Sequence, residues 1–416
     1  MKKVITSTMI GNGLEWYDYA LYGHFAALIS RHFFPQQDPV VSLIATFGIF
    51  AVGFLMRPIG AVFFGYIGDK YGRKQALSLS ILLMAIPTAC IGLLPTYEHI
   101  GIWATILLTI IRLVQGVAIG GEFGGSIVYL VEHASEKNKN LIGSTSVISM
   151  LIGVLLGAGI SSLLATIMSE ENFVNYGWRI PFILGLVIGL VGLYIRTHLD
   201  ESPAFLDAKE TGHLSDKPVK ETFQANLTEL LLAIGVYMAV TIPFYLQSVF
   251  MNSFMVKFLG FKVSDALFIN SASLLMMMIA VPISAILCDK YEREKILKFV
   301  LVAYIIFALP LVYFLDDKSF AMALIGQLGF SFIIGFYIAP IPTLLVDIFP
   351  TRVRYTGMSL SCNLAAAIFG GTTPALVTFF INKFETDYVI SAFIIFSAII
   401  SLISMAKVRT KFNYDI

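Results

Sequence analysis

Long apolar stretches recur from one end of this 416-residue chain to the other, as in 44–64 and 393–405. No other feature constrains its fold as much. A helix needs about 20 consecutive apolar residues to cross the hydrocarbon of a bilayer, and the length accommodates roughly twelve such spans with short connections. Composition agrees: 57% of the residues are hydrophobic and 13% charged, against about a quarter charged in ordinary soluble chains. The expectation is an all-α membrane protein with the lipid bilayer as its main solvent.

Apolar runs set against charged breaks place helices near 4–30, 42–67, 76–95, 101–131, 143–168 and 178–197. Six more follow near 228–256, 266–288, 297–315, 319–346, 356–382 and 388–406. The first and fourth runs are long enough to tilt or kink. Lys2 and Lys3 before an apolar stretch imitate a signal peptide, but Glu15 and Asp18 interrupt that stretch and no small-residue cleavage site follows. It reads as a retained first helix. The stretch from Arg196 to Asn226 is the densest in polar residues and reads as a solvated linker. The expected division is a six-helix bundle over 1–197, a cytoplasmic linker over 198–227 and a second six-helix bundle over 228–416.

With both termini cytoplasmic, 20 of the 28 Lys and Arg fall on the cytoplasmic side. The outer side receives six, Arg31, Arg179, Lys257, Lys262, Lys318 and Lys383, while Arg57 and Arg112 lie within spans. That asymmetry fits the positive-inside rule. The halves also repeat: Asp69, Lys70, Tyr71, Arg73 and Leu77 return as Asp289, Lys290, Tyr291, Arg293 and Leu297, displaced by 220 residues. Glu132 with Lys139 is echoed by Asp347 with Arg354. Paired bundles related by a repeat hold their solute site between them near the bilayer midplane.

Several function classes drop out. A net charge of +1 gives no basic face for nucleic acid. Cys90, Cys288 and Cys362 are scattered in apolar segments, with no metal-ligand spacing and no even count for a disulfide framework. Small buried hydrophobes is the reading for them. No metal or cofactor is expected. An enzyme is disfavoured by the lack of a His-Glu-x-x-His motif, an Asp-rich diphosphate motif, or a Ser or Cys with an evident base. The glycines around Gly120 sit mid-helix with no strand, so they are no nucleotide loop. Gly116, Gly120 and Gly124 recur every fourth residue, as close helix packing requires.

The run Gly65-Tyr-Ile-Gly-Asp69-Lys70-Tyr-Gly72-Arg73-Lys74 closes the second helix and opens the third. Gly65 admits a neighbouring helix, Asp69 can meet a helix N-terminus, and Gly72 permits a tight turn. This pattern resembles the cytoplasmic signature loop of the major facilitator superfamily; Asp289 and Arg293 stand in its second copy, where Glu292 replaces the turn glycine. Further runs resemble the metabolite:proton symporter branch: Gly13-Leu-Glu15-Trp16-Tyr17-Asp18, Arg57-Pro58, Arg112-Leu-Val-Gln115-Gly116, Gly120-Gly121-Glu122, Trp178-Arg179-Ile-Pro181-Phe182 and Asp200-Glu201-Ser202-Pro203. Within that branch, Phe349-Pro350-Thr-Arg352-Val-Arg354-Tyr355-Thr-Gly357 and Gly371-Thr-Thr-Pro374 are most similar to the bacterial proline/betaine transporters. The resemblance implies the major facilitator fold of twelve transmembrane helices in a bacterial inner membrane. It implies a secondary active transporter, not an enzyme, working as a monomer by alternating access, with gating residues Gly65, Asp69, Gly72, Arg73, Asp289 and Arg293.

Glu15, Asp18, Arg57, Arg112 and Glu122 sit well inside predicted helices, where an ionised group costs about 2.5 to 3.5 kcal/mol on insertion scales. Such groups should pair and face a cavity. Glu15 and Asp18 share a face with Tyr22, and Arg112, Gln115 and Glu122 spread over less than half a helix circumference. Burial favours the neutral form of a carboxyl and a nearby guanidinium the charged form. A carboxylate, Glu122 first and Asp18 or Glu15 second, is expected to exchange a proton while pairing with Arg112 or Arg57. The alternative is a set of permanent ion pairs holding helices together. The Arg57 and Arg112 forks also suit a solute carboxylate, with Gln115, Tyr22, Tyr237 and Tyr245 as further solute contacts. A zwitterion would place its cationic end near Glu15, Asp18 or an aromatic face. The expected activity is proton-coupled uptake of a small carboxylate-bearing metabolite such as proline or betaine. A di- or tricarboxylate such as oxoglutarate or citrate, or a proton-independent facilitator or exporter of the same fold, is the alternative.

Overall fold

The computed structural model describes residues 1–34 and 39–408. In hydrocarbon every backbone N–H and C=O must bond within its own element, and each long apolar run is indeed helical, with no strand among the described residues. We label the principal helices α1 (Lys2–His24), α2 (Pro39–Lys70), α3 (Arg73–Leu93), α4 (Ile102–His133), α5 (Lys139–Ile167) and α6 (Arg179–Thr197). They continue as α7 (Leu227–Tyr245), α8 (Val263–Lys290), α9 (Arg293–Asp316), α10 (Phe320–Ile338), α11 (Arg354–Ala365) and α12 (Val389–Lys407). Among the described residues, 10 helical stretches are long and apolar enough to cross a membrane; α1 and α2 are outside that set.

Several predicted runs are interrupted. The first breaks at Phe25, and a short helix, Ala26–Phe33, follows α1. The seventh passes from α7, with Pro243 inside it, into a π-helical turn, Leu246–Phe250, before resuming at Met251–Lys257. The eleventh does the same at Ala366–Gly370 before Thr373–Phe384. Proline removes a helical donor, and π-turns insert one extra residue without leaving the helix. The fourth run, α4, is continuous over its 32 residues.

Two compact units organise the chain. Unit 1 comprises Met1–His133, Ile148–Glu221 and Thr351–Leu360; unit 2 comprises Ala134–Val147, Thr222–Pro350 and Ser361–Ile416. Thus α5 and α11 each divide between the units.

In unit 1, α2 packs along α4, and α3 packs against both α4 and α6. Glycines set the α2–α4 spacing: a β-carbon at Gly60 would strike the Val117 backbone, one at Gly116 the Gly53 carbonyl, and one at Gly120 the Arg57 carbonyl. On α6, Gly185, Gly189 and Gly192 meet Thr88, Ala85 and Ile81 of α3. That face continues one turn further to Arg196, which is 2% exposed. Arg196 therefore belongs to a packed helix face and not to a solvated linker as its charge suggests. Between α6 and α7 lie two short helices, Pro203–Glu210 and Pro218–Ala225, with Phe205 and Thr222 buried.

In unit 2, α10 packs on α8 and α9, and α12 on α7 and α9. Ser401 of α12 donates to the Gly235 carbonyl at 2.7 Å, and the Tyr337 hydroxyl of α10 to the Val236 carbonyl at 2.9 Å. Both side chains thereby satisfy their polar ends inside an apolar core.

Candidate functional site

The inner face of α1 carries Ser7, Gly11, Glu15, Asp18 and Tyr22, all buried, at helical spacing. Three carboxylates and three guanidiniums meet in unit 1 around this face. Asp18 is fully buried and accepts from Arg112 Nη1 at 2.8 Å, Gln115 Nε2 at 2.9 Å and Thr88 Oγ1 at 2.9 Å. Arg112 lies over the Tyr22 ring, 3.7 Å from its centroid, and the Tyr22 hydroxyl donates to the Thr46 carbonyl at 3.0 Å. Arg112 is only 4% exposed, yet its Nε and Nη2 have no hydrogen-bond partner. Two donor nitrogens of a buried guanidinium are thereby left able to bond an anion.

Glu122 pairs with neither Arg112 nor Arg57. Both terminal nitrogens of Arg196 hold it, Nη1 at 2.9 Å, and Ser80 Oγ donates to the same carboxylate. Arg196 also donates to the Leu77 carbonyl. The pair rests directly on Gly11, where any β-carbon would collide with Arg196 and Glu122. Glu15 is 2% exposed. It makes no ion pair among the described residues, and its Oε2 has no hydrogen-bond partner. Arg57, also buried, lies over the Phe54 ring at 4.2 Å and leaves Nε unpartnered. The structure thus brings Asp18, Arg112, Gln115 and Tyr22 into one cluster and sets Glu122 in a separate one with Arg196. Tyr237 and Tyr245 belong to unit 2, where Tyr245 packs against Phe244 and Gly370.

The signature loop forms a second polar centre in unit 1. Gly72 has φ +126°, a region that favours glycine, and a β-carbon there would also meet Glu201. Glu201 Oε1 caps α3 by accepting from the backbone N–H of Arg73 at 3.0 Å and of Lys74 at 3.2 Å. Asp69 accepts from the backbone N–H of Tyr355 at 3.0 Å and Thr356 at 2.8 Å, at the start of α11, where a carboxylate is favoured by the exposed amides and dipole. Gly65 makes room for Thr356. Arg73 donates to the Gly68 and Thr351 carbonyls at 2.7 and 2.8 Å and pairs with Glu132 at 3.2 Å, which also takes Arg354 at 2.9 Å.

Unit 2 contains the counterpart. Asp289 accepts from the backbone N–H of Asn140 at 2.8 Å and Leu141 at 3.0 Å, at the start of α5. Asp347 pairs with Arg293 at 3.0 Å and Lys139 at 2.8 Å. Glu292, in place of the turn glycine, has φ −59°, so this turn needs no left-handed residue. Among the described residues, no cluster could hold a metal ion.

Arg196, Ser80, Thr88 and Glu201 were not singled out as site residues from sequence. The glycine stripe on α6 was the available signal for Arg196. It places that side chain on the face packed against α3.

The sequence profile of the family described as "Sugar (and other) transporter" matches residues 4–414. The chain is 33% identical to the proline/betaine transporter of Escherichia coli K12, over 99% of this chain and 84% of that one. It is 32% identical to the glycine betaine/proline/ectoine/pipecolic acid transporter of Dickeya dadantii, over 97% and 82%. Among solved structures, it superposes on the proton:xylose symporter bound to 6-bromo-6-deoxy-D-glucose with a TM-score of 0.80 at 15% identity, covering 97% of this chain and 94% of that one. It superposes on the human organic anion transporter MFSD10 with a TM-score of 0.73 at 13% identity, covering 97% and 99%. The fold, the signature loops and these matches together place the chain in the sugar (and other) transporter family of the major facilitator superfamily, as a multi-pass membrane solute transporter similar to bacterial proline/betaine transporters and not an enzyme.

Proposed function

We propose that the chain takes up a small carboxylate-bearing solute, a zwitterion such as proline or betaine, together with a proton. It would do so by alternating access of two six-helix bundles, 1–197 and 228–416, joined by the linker 198–227. The working form is a monomer of twelve spans in a bacterial inner membrane, with both termini in the cytoplasm. The names of the relatives support the solute class, and the distribution of Lys and Arg supports the orientation.

One observation carries the coupling. Arg112 spends Nη1 on Asp18 and holds Nε and Nη2 unspent in a buried site. A solute carboxylate arriving at the free edge competes with Asp18 for one positive charge. As the guanidinium turns to the solute, Asp18 loses its counter-charge in a medium where an unpaired carboxylate is costly, and a proton replaces it. Solute binding and proton binding then favour each other, which is the requirement for symport. Asp18 thus takes first place as the coupling carboxylate, ahead of Glu122, which two Arg196 nitrogens and Ser80 already satisfy. Gln115 and Thr88 hold Asp18 in place, and Tyr22 holds Arg112. The cationic end of the solute faces the rings of Trp16 and Tyr19, whose centroids lie 5.4 Å apart; a cation over such rings gains about 0.5 to 2 kcal/mol. Tyr237 and Tyr245 complete the solute contacts from the second bundle, and the loops of Gly65, Asp69, Gly72 and Arg73 and of Asp289 and Arg293 gate the cytoplasmic side.

The test is uptake of labelled proline, betaine, oxoglutarate and citrate into proteoliposomes, with and without an imposed pH gradient. Gradient-dependent accumulation of proline or betaine is expected. Uptake of all four at the same rate without the gradient, or of none, refutes the proposal; uptake of the dicarboxylate or tricarboxylate alone reassigns the solute.

A further inference from the structure

Proton-coupled uptake, the reading on which this inference rests, requires the proton on Asp18 to reach the cytoplasm. We propose that it travels inside unit 1, from Asp18 to Glu15 to Glu122 and out through a small cavity at the N-terminal end of α1, separately from the solute.

The groups stand in that order along one face of α1. Glu15 is one turn from Asp18, and Gly11, one turn further, is the surface on which the Glu122–Arg196 pair rests. Glu15 lies within Coulombic reach of Asp18, Glu122 and Arg57, and its Oε2 is free of hydrogen bonds. One turn beyond Gly11, Ser7 and Thr8 line a cavity of about 10 Å³ together with Lys74, Tyr129, Arg196 and the apolar Leu77 and Leu199. That is room for about one water molecule. Ser7 Oγ and Arg196 Nε, two residues of this lining, are buried without partners, and a water there would satisfy unpaired polar groups as internal waters do. Lys2 and Lys3 are exposed at the same end of α1.

Every transfer conserves one proton and needs no co-reactant beyond water. Glu15, unpaired in a buried site, holds a proton at rest; it gives that proton to Glu122 and is refilled by the carboxylic acid of Asp18. Glu122 can accept only after an oxygen leaves Arg196, which stays charged and keeps its bond to the Leu77 carbonyl. Glu122 then passes the proton to water in the cavity. The Glu122–Arg196 pair is the gate: while it is closed no acceptor follows Glu15, and unit 1 does not leak. The groups facing the gate are Arg196 of α6, Ser80 of α3, Glu15 of α1 and, from the segment Thr351–Leu360, Tyr355, whose hydroxyl donates to the Gly121 carbonyl. Permanent pairing of Glu122 would explain its contacts with Arg196, but it leaves the buried, unpaired Glu15 without a purpose.

The full chain is reconstituted in liposomes containing a pH dye. Solute-driven proton entry and exchange of labelled solute at equal concentrations are measured for the wild type, Glu15→Gln and Glu122→Gln. Both variants are expected to exchange solute while proton entry slows at least about 100-fold, the lower range for losing a proton-transfer group. Wild-type proton entry in Glu15→Gln overturns the route, and because that variant removes no ion pair it decides even where Glu122→Gln fails to fold. A wild type that exchanges solute and moves no proton overturns the underlying symport reading instead.

Discussion

Arg112 and Asp18 share a bond that neither side chain can give up without replacement. An isolated charge left behind in such a site costs about 3 to 5 kcal/mol when its partner is removed. Asp18→Asn keeps a side chain of the same shape that accepts from Arg112 but binds no proton. It is expected to exchange labelled solute across liposomes yet to lose accumulation against a gradient; retained uphill uptake would remove Asp18 from the coupling role. Arg112→Lys replaces the fork with a point charge, and the KM for solute should rise about tenfold to 100-fold, the range of 1.4 to 2.8 kcal/mol. An unchanged KM in initial-rate uptake would place the carboxylate elsewhere. These two residues were legible from sequence because a charge mid-span is expensive and demands a partner. The partner of Glu122 was not, because Arg196 stands near a helix end where a cation is usually solvated. Only the packing of α6 against α3 draws it inward.

The helices themselves follow from the length of the apolar runs, and their ends fall where charges resume. The interruptions do not follow. Phe25 and the π-turn at Ala366–Gly370 occur in runs whose apolar pattern does not break there, and at Leu246–Phe250 only Pro243 and the polar pair Gln247 and Ser248 hint at the irregular turn. The glycines of α4 were readable, since their fourth-residue spacing matches a packed helix face. Gly116→Val would drive a branched side chain into the Gly53 carbonyl and Met56. Overpacking of this kind costs about 1 to 3 kcal/mol or more, so a lower Tm of the detergent-solubilised protein is expected; an unchanged Tm would show that α2 and α4 can separate freely. Asp69→Asn weakens the carboxylate at the start of α11 by about 0.5 to 2 kcal/mol, the worth of a helix cap. A several-fold change in transport rate with unaltered expression is the expected result, and wild-type rates would leave the loop without a gating role.

The two units resolve the same requirement with the same parts: a signature-loop aspartate on a helix start, and an acidic residue held between two cations. The sequence repeat announced this, since Asp69 and Asp289 stand 220 residues apart in matching contexts. It did not announce that the helices so capped, α11 and α5, each divide between the units. For the whole transporter, each proton carried with solute allows about a tenfold accumulation per unit of pH difference, or roughly 1.4 kcal/mol. Steady-state accumulation should therefore climb as the outside is acidified and vanish with a protonophore. A ratio indifferent to both would mark a facilitator. The two loop copies differ at one residue: Gly72 can carry no side chain, whereas Glu292 projects a solvent-exposed one from an ordinary backbone conformation. With Cys288 and Cys362 buried and Cys90 half-buried, Glu292→Cys offers a thiol that reacts with a bulky fluorophore ahead of the native cysteines. The repeat that lost its glycine is thus the natural attachment point for an optical reporter, leaving the intact loop untouched while transport is watched in real time.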